Sequence, residues 1–221
     1  MRKRARSSGQ LFITLAVMLM VITILISCDP SKRKQTALVR EGSQEQECLV
    51  SARDTTQDVF WSELQKLLGK AYEGTVVSAP ANDTAFTGKR LLMHVLSGDD
   101  SIINIPFFVG TDSSRTWVFT KDECGILLKH DHRHQNGTPD ELTMYGGKTQ
   151  NFGSAFRQIF PADQETADML PGAITNVWWI DFVPGEYFVY NLRRVNTDRL
   201  FSVRFDLTKE VETPGKPWGW S

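Results

Sequence analysis

From Lys70 onward, apolar and polar residues alternate with a period of two. That spacing puts every second side chain on the same face of an extended strand. It predicts strands over 70–79, 88–97, 101–109, 115–121, 124–134, 140–146, 153–160, 175–182, 185–194 and 199–208. Turn-forming residues separate them, among them Asn82-Asp83, Gly98-Asp99-Asp100, Asn136-Gly137, Pro184-Gly185 and Asn196-Thr197-Asp198. The last strand is the clearest. Phe201, Val203, Phe205 and Leu207 make its apolar face, and Ser202, Arg204, Asp206 and Thr208 its polar face. Residues 177–182 are apolar on both faces, which predicts either a strand covered twice, for example by a helix, or a contact patch.

Ahead of this series, Phe60, Leu64, Leu67 and Leu68 recur at helical spacing, and Gly69 ends the run. Thr55 and Asp58 stand at capping-box spacing. One short N-terminal helix follows, with a single apolar face suited to a lid or plug. A weaker helical signal lies near Gln164–Leu170. So few helices exclude a parallel α/β fold. Ten consecutive strands with short links predict a mainly β protein, an antiparallel up-and-down barrel of about ten strands. Closure removes the exposed edges such a meander would otherwise have. A β-sandwich is the alternative.

Residues 1–27 read differently. Arg2, Lys3, Arg4 and Arg6 precede an apolar run from Leu11 to Ile26, as in an export signal. The run ends in Leu25-Ile26-Ser27-Cys28, which resembles the lipobox of bacterial lipoproteins. That resemblance implies diacylglycerol on the Cys28 thiol and cleavage before it. The chain would then be held to a membrane by lipid on Cys28, in the cell envelope outside the cytoplasm. An uncleaved transmembrane anchor is the competing reading. The run would span about 24 Å at about 1.5 Å per residue, marginal for a bilayer core. The expected organisation is a signal peptide over 1–27, a flexible polar tether over 28–55 and a β domain over 56–221.

Charge follows the same division. The first 27 residues hold four of the 25 basic residues and none of the 26 acidic ones, so the remainder is net −5. This is not the footprint of a nucleic-acid binder. Lys32-Arg33-Lys34, just beyond Cys28, reads as a solvated tether or a contact to anionic head groups. Cys48 and Cys124 are left after lipidation, and an oxidising compartment permits a bridge between them without requiring one.

The order helix, Gly69-Lys70-Ala71-Tyr72-Glu73-Gly74, then hairpins resembles the calycin group, which includes lipocalins, fatty-acid-binding proteins and nitrobindin-like haem binders. The lipocalin Gly-x-Trp is missing, and Gly69-Lys70-Ala71-Tyr72 stands where it would be sought. The strings GKAYEGTVV, RLLMHV, IPFFVG, SRTWVFT, LLKHDHRHQNGTPDELTMYGG and FPAD are similar to an uncharacterised family of bacterial exported proteins over about residues 60–218. That similarity implies a secreted single domain and no particular chemistry.

Three of the four histidines fall in Lys129-His130-Asp131-His132-Arg133-His134. On a strand, Ile126, Leu128, His130, His132 and His134 share one face, and Lys129, Asp131 and Arg133 the other. Alternate strand residues lie roughly 7 Å apart. Two of these imidazoles can therefore converge on one ion, but all three cannot without a bend. Three readings follow. His130, His132 and His134 could help bind zinc or haem. The strand end could be a polar rim with Lys129, Asp131 and Arg133 as an exposed charge ladder. Or Arg115, His132 and Tyr145, with His130 and His134 beside them, could receive a carboxylate or phosphate without metal.

Arg193, Arg194 and Arg204 lie on the last two strands, and Arg204 is expected to face solvent because the large apolar residues on its opposite face need burial. Ser113, Ser114 and Ser154 have no nucleophile-elbow context, and His130 beside Asp131 is adjacency rather than catalytic geometry. The leading expectation is therefore a lipid-anchored envelope protein that binds a small apolar or amphipathic ligand, or a protein partner, without catalysis and without a cofactor. A metal- or haem-dependent protein using the His130–His134 cluster is the alternative.

Overall fold

The alternating stripes close on one another. The structure, a computed structural model, describes residues 55–220. The signal peptide, the lipidation site Cys28, most of the tether and Cys48 lie outside the described residues. Helix α1 (Thr55–Gln65) leads into strands β1 (Ala71–Ser78), β2 (Leu91–His94), β3 (Ser97–Gly98), β4 (Ile102–Val109), β5 (Asp112–Asp122), β6 (Gly125–His132), β7 (Tyr145–Lys148) and β8 (Arg157–Pro161). A second helix, α2 (Gln164–Met169), and a 3-10 turn (Pro171–Ala173) precede β9 (Asn176–Val183), β10 (Tyr187–Arg194) and β11 (Leu200–Val211). Every ladder is antiparallel, and the order around the sheet is β7-β6-β5-β4-β2-β1-β11-β10-β9-β8, with β3 paired to β4. This is a nearly closed ten-stranded barrel of calycin-like architecture, not a sandwich.

The first and last strands pair, Ala71 opposite Val211 and Thr75 opposite Arg204. The seam falls instead between the consecutive strands β7 and β8. It is bridged at two levels. The Thr166 hydroxyl donates to the Gly146 carbonyl at 2.8 Å and accepts from its N–H at 2.7 Å. The Asp163 N–H donates to the same carbonyl at 3.0 Å. Toward the helix end, the Gln57 amide donates to Thr149 Oγ1 and to Gln158 Oε1, at 3.1 and 3.2 Å. Gly147 faces Pro161 so closely that a Cβ would lie 1.7 Å from the Pro161 carbonyl oxygen. Only glycine permits that approach.

Helix α1 plugs one end of the barrel. Phe60, Trp61, Leu64 and Leu67 are buried, and Phe60 meets Phe182 edge-on at 6.0 Å. Asp58 forms an ion pair with Lys121. Because α1 lies across the barrel end with Phe60, Trp61 and Leu64 turned into the core, it does not cover the outer face of β9, as the doubly apolar pattern had allowed. Trp178, Ile180 and Phe182 point inward, and the outer Trp179 is half-buried, its indole N–H donating to Asp181 at 3.0 Å.

Several expected strands are shorter. Of 88–97, only Leu91–His94 and Ser97–Gly98 pair. Of 140–146, only the last two residues lie in β7. Met144 has φ 58, which ends the extended run although its N–H still donates to the His130 carbonyl at 2.7 Å; Asp140 accepts from the Leu142 N–H, and the Leu142 and Met144 side chains stay exposed. The tight turn after His134 forms as expected, with the Gly137 N–H donating to His134 at 2.8 Å.

The expected charge ladder on the outside of β6 is corrected more sharply. Lys129 and Asp131 are buried. Lys129 reaches Asp163 at 2.9 Å and Glu165 at 2.6 Å, which ties α2 across the seam. Asp131 accepts from Arg133 and from Thr143. Arg204 does point outward and lies over the Tyr187 ring at 4.1 Å, while Phe201, Val203, Phe205 and Leu207 fill the interior. The tail packs on its own body, with the Trp218 N–H donating to Ser113. Among the described residues no helix is long and apolar enough to cross a membrane.

Candidate functional site

Each inward stripe changes character toward the end of the barrel opposite α1. On β6 it runs Ile126, Leu128, His130, His132. On β5 it runs Phe119, Trp117, Arg115, and on β9 Phe182, Ile180, Trp178, Asn176. On β10 it runs Phe188, Tyr190, Leu192, Arg194, and the β11 stripe ends beyond Phe201 at Arg199. Register brings these ends together, with Arg115 opposite His132, Trp117 opposite His130, and His130 opposite Tyr145. They surround a cavity of about 410 Å³ that opens at this end.

The 79–90 loop forms part of its mouth. The Asp83 carboxylate organises that loop by accepting from the N–H groups of Ala85, Phe86 and Thr87 and from the Thr87 hydroxyl. Phe86 is thereby set against Phe201 at 4.4 Å, with the Arg115 guanidinium 5.7 Å from its ring centre.

The deep wall is aromatic. Phe107, Trp117 and Tyr190 stack in a row, at 4.8 and 4.4 Å between ring centres. His130 stacks on Tyr145 at 4.8 Å and lies 5.1 Å from Trp178. Both of its ring nitrogens are engaged, Nδ1 with the Tyr145 carbonyl at 3.0 Å and Nε2 with the Tyr190 hydroxyl at 2.8 Å. A carbonyl only accepts, so Nδ1 carries the proton and Tyr190 donates to Nε2. Burial pushes the His130 imidazole down to about 3, which keeps it neutral. Burial also raises the Tyr190 hydroxyl well above its ordinary value.

His132 sits nearer the mouth, its Nε2 3.1 Å from the Tyr145 hydroxyl. Burial, helped by the charge of Arg115, lowers it to about 4, while burial raises Tyr145 to about 12. Both are neutral at pH 7.

Three guanidinium groups line the same cavity. Arg115 is paired with Asp112. Arg194 donates to the neutral Asn176 at 2.9 Å, and burial together with the charge of Arg199 lowers its pKa. Arg199 is exposed and has no carboxylate partner among the described residues. Among the described residues the only lining carboxylate is Asp83, already engaged by its loop. Aromatic surface below and cationic surface at the rim suit a molecule with an apolar body and a negative end.

Four of the five residues singled out by sequence, Arg115, His130, His132 and Tyr145, are brought together here. His134 is not. It leaves the barrel at the end of β6, stands in solvent beside Asp140 and Glu141, and lies 3.9 Å from the Glu141 carboxylate. The three histidines therefore do not converge. His94 is buried elsewhere, in β2. Tyr190, Asn176, Arg194 and Arg199 complete the cavity. Extending each apolar stripe by one more step of two would have found the last three. Comparison of the chain with protein-family models, with curated proteins and with solved structures finds no match.

Proposed function

We propose that this is a lipid-anchored protein of the bacterial cell envelope whose barrel binds a small amphipathic molecule in the cavity at its open end. The observation that carries the reading is the contrast within that one cavity: rings of Phe86, Phe107, Trp117, Trp178, Tyr190 and Phe201 on its walls, and Arg115, Arg194 and Arg199 among its polar lining. A volume of about 410 Å³ falls in the range of small-molecule sites, roughly 300–1,000 Å³. The anchor rests on Leu25-Ile26-Ser27-Cys28 and on the resemblance to bacterial exported proteins. Plugging by α1 supports a carrier open at one end only.

The test uses 8-anilinonaphthalene-1-sulfonate, an amphipathic anion that fluoresces in apolar surroundings. The barrel should bind it at one site with a blue-shifted emission. Ala85→Trp, which places a large ring on an exposed loop position at the cavity mouth, should weaken this binding severalfold or more. Phe156→Ser, on the exposed apolar surface around Phe152, Phe156 and Ile159, should leave it unchanged. The reverse pattern would sink the proposal.

A further inference from the structure

Among the described residues, the cavity is lined by three guanidinium groups and one carboxylate, and this constrains the ligand's polar end. The His132–Tyr145 pair holds two transferable protons when neutral, one on the imidazole and one on the phenol, and shares a single hydrogen bond at 3.1 Å. If Tyr145 donates to Nε2, the other ring nitrogen of His132 keeps an N–H. If Nε2 donates to Tyr145, the phenol keeps its O–H. Either tautomer leaves one donor over. By contrast, the proton on His130 and that of Tyr190 are both spent, on the Tyr145 carbonyl and on His130 itself.

The spare donor lies in the field of two guanidinium groups. Arg115 and Arg199 line the same cavity as Tyr145 and Tyr190, and the charge of each favours the ionised form of both hydroxyls. Arg199 also acts on Arg194. Arg115 is neutralised by Asp112, whereas Arg194 and Arg199 repel one another, and an acceptor-only group placed between them would relieve that repulsion. Guanidinium donors match the oxygens of a carboxylate or phosphate two at a time.

We infer that the polar end of the ligand is an oxyanion, a carboxylate or a phosphate, held by Arg199 and Arg194 at the rim and by the unspent donor of the His132–Tyr145 pair. This rests on the proposal that the cavity binds an amphipathic molecule, and it names the chemistry of the head group. Arg199 is the residue to change, because it is exposed and no described carboxylate depends on it.

Calorimetric titration with decanoate, decyl phosphate, decanol and decyltrimethylammonium tests it. The four probes share one chain and differ in the head group, and the first two separate the carboxylate from the phosphate. Whichever oxyanion fits should bind at least about tenfold more tightly than decanol, and the cation should bind least, as expected when charge-assisted hydrogen bonds are lost. Arg199→Gln should cost that oxyanion about tenfold and leave decanol unchanged. Arg193→Gln, an exposed arginine outside the cavity, should change neither. Tyr145→Phe should weaken the oxyanion alone. If decanol binds as tightly as both oxyanions, the inference fails and the cavity remains a ligand site. If none of the four binds, the cavity proposal fails with it.

Discussion

The Tyr190 hydroxyl donates to His130 Nε2 at 2.8 Å across the interior of the barrel, between strands that are not neighbours in the sheet. Since the opposite ring nitrogen donates to Tyr145 O, the imidazole is fixed in one tautomer. A histidine this buried and this fully bonded holds the cavity wall in place rather than waiting for a ligand.

The acid response follows. The folded-state value of His130 is about 3 and that of His132 about 4, both below the ordinary 6.5. Between these values the unfolded chain binds more protons than the folded one, so stability rises with pH. The contribution is complete above about pH 6.5 and is lost as pH falls toward 3. Urea unfolding at pH 7 and pH 4.5 should show a loss on the order of a few kcal/mol at the lower pH. His130→Phe should reduce this pH dependence. It should also cost about 2 kcal/mol or more at pH 7, because the Tyr190 hydroxyl and Tyr145 carbonyl lose their partner. An unchanged pH profile in the variant would show that another group sets it.

The seam gives a second prediction. A Cβ on Gly147 would overlap the Pro161 carbonyl, which is backbone and has nowhere to move without separating β7 from β8. Gly147→Ala should therefore destabilise by about 3 kcal/mol or more. Amide exchange should quicken first at Gly146 and Asp163, whose hydrogen bonds bridge the gap. Slow exchange there, with normal stability, would mean that the seam tolerates a wider spacing than the structure has.

Cysteine pairing tests the anchor. Cys124 is disulfide-bonded, and the chain contains three cysteines in all. The proposed lipid on Cys28 would consume that thiol and leave Cys48 for a bridge within the chain. Peptide mapping without reduction, on protein grown with labelled palmitate, should yield a Cys48–Cys124 peptide pair and label on the peptide that begins at Cys28. A Cys28–Cys124 pair would contradict the lipid anchor.

Much of the barrel was legible because its interior is written in parity. Phe201, Val203, Phe205 and Leu207, or Ile126 and Leu128, occupy the same face with no interruption, and α1 announces itself by Phe60 and Leu64 one turn apart. Parity also put His130 and His132 on the inner face, while the pairing that sets Arg115 opposite His132 and Tyr145 opposite His130 came only with the structure. What parity does not show is where a strand stops. Leu142 and Met144 alternate like strand residues, but the backbone turns at Met144 and both side chains stay exposed, so β7 begins only at Tyr145. His134 shares the parity of His132 and still leaves the site, because β6 ends at His132. Nor does parity show what covers an outer face, since Lys129 is buried only through α2, whose acidic residues lie 34 to 36 positions away in the chain.

The measurement that bears most directly on the central claim is the position of a bound amphipathic anion. Uniformly ¹³C-labelled decanoate, added to the barrel, should give nuclear Overhauser contacts from its chain to the rings of Trp117, Tyr190 and Phe201, with the Arg199 guanidinium resonances shifting on saturation. Contacts confined to the exposed rings of Phe152 and Phe156, with the Trp117 and Arg199 signals unmoved, would contradict it.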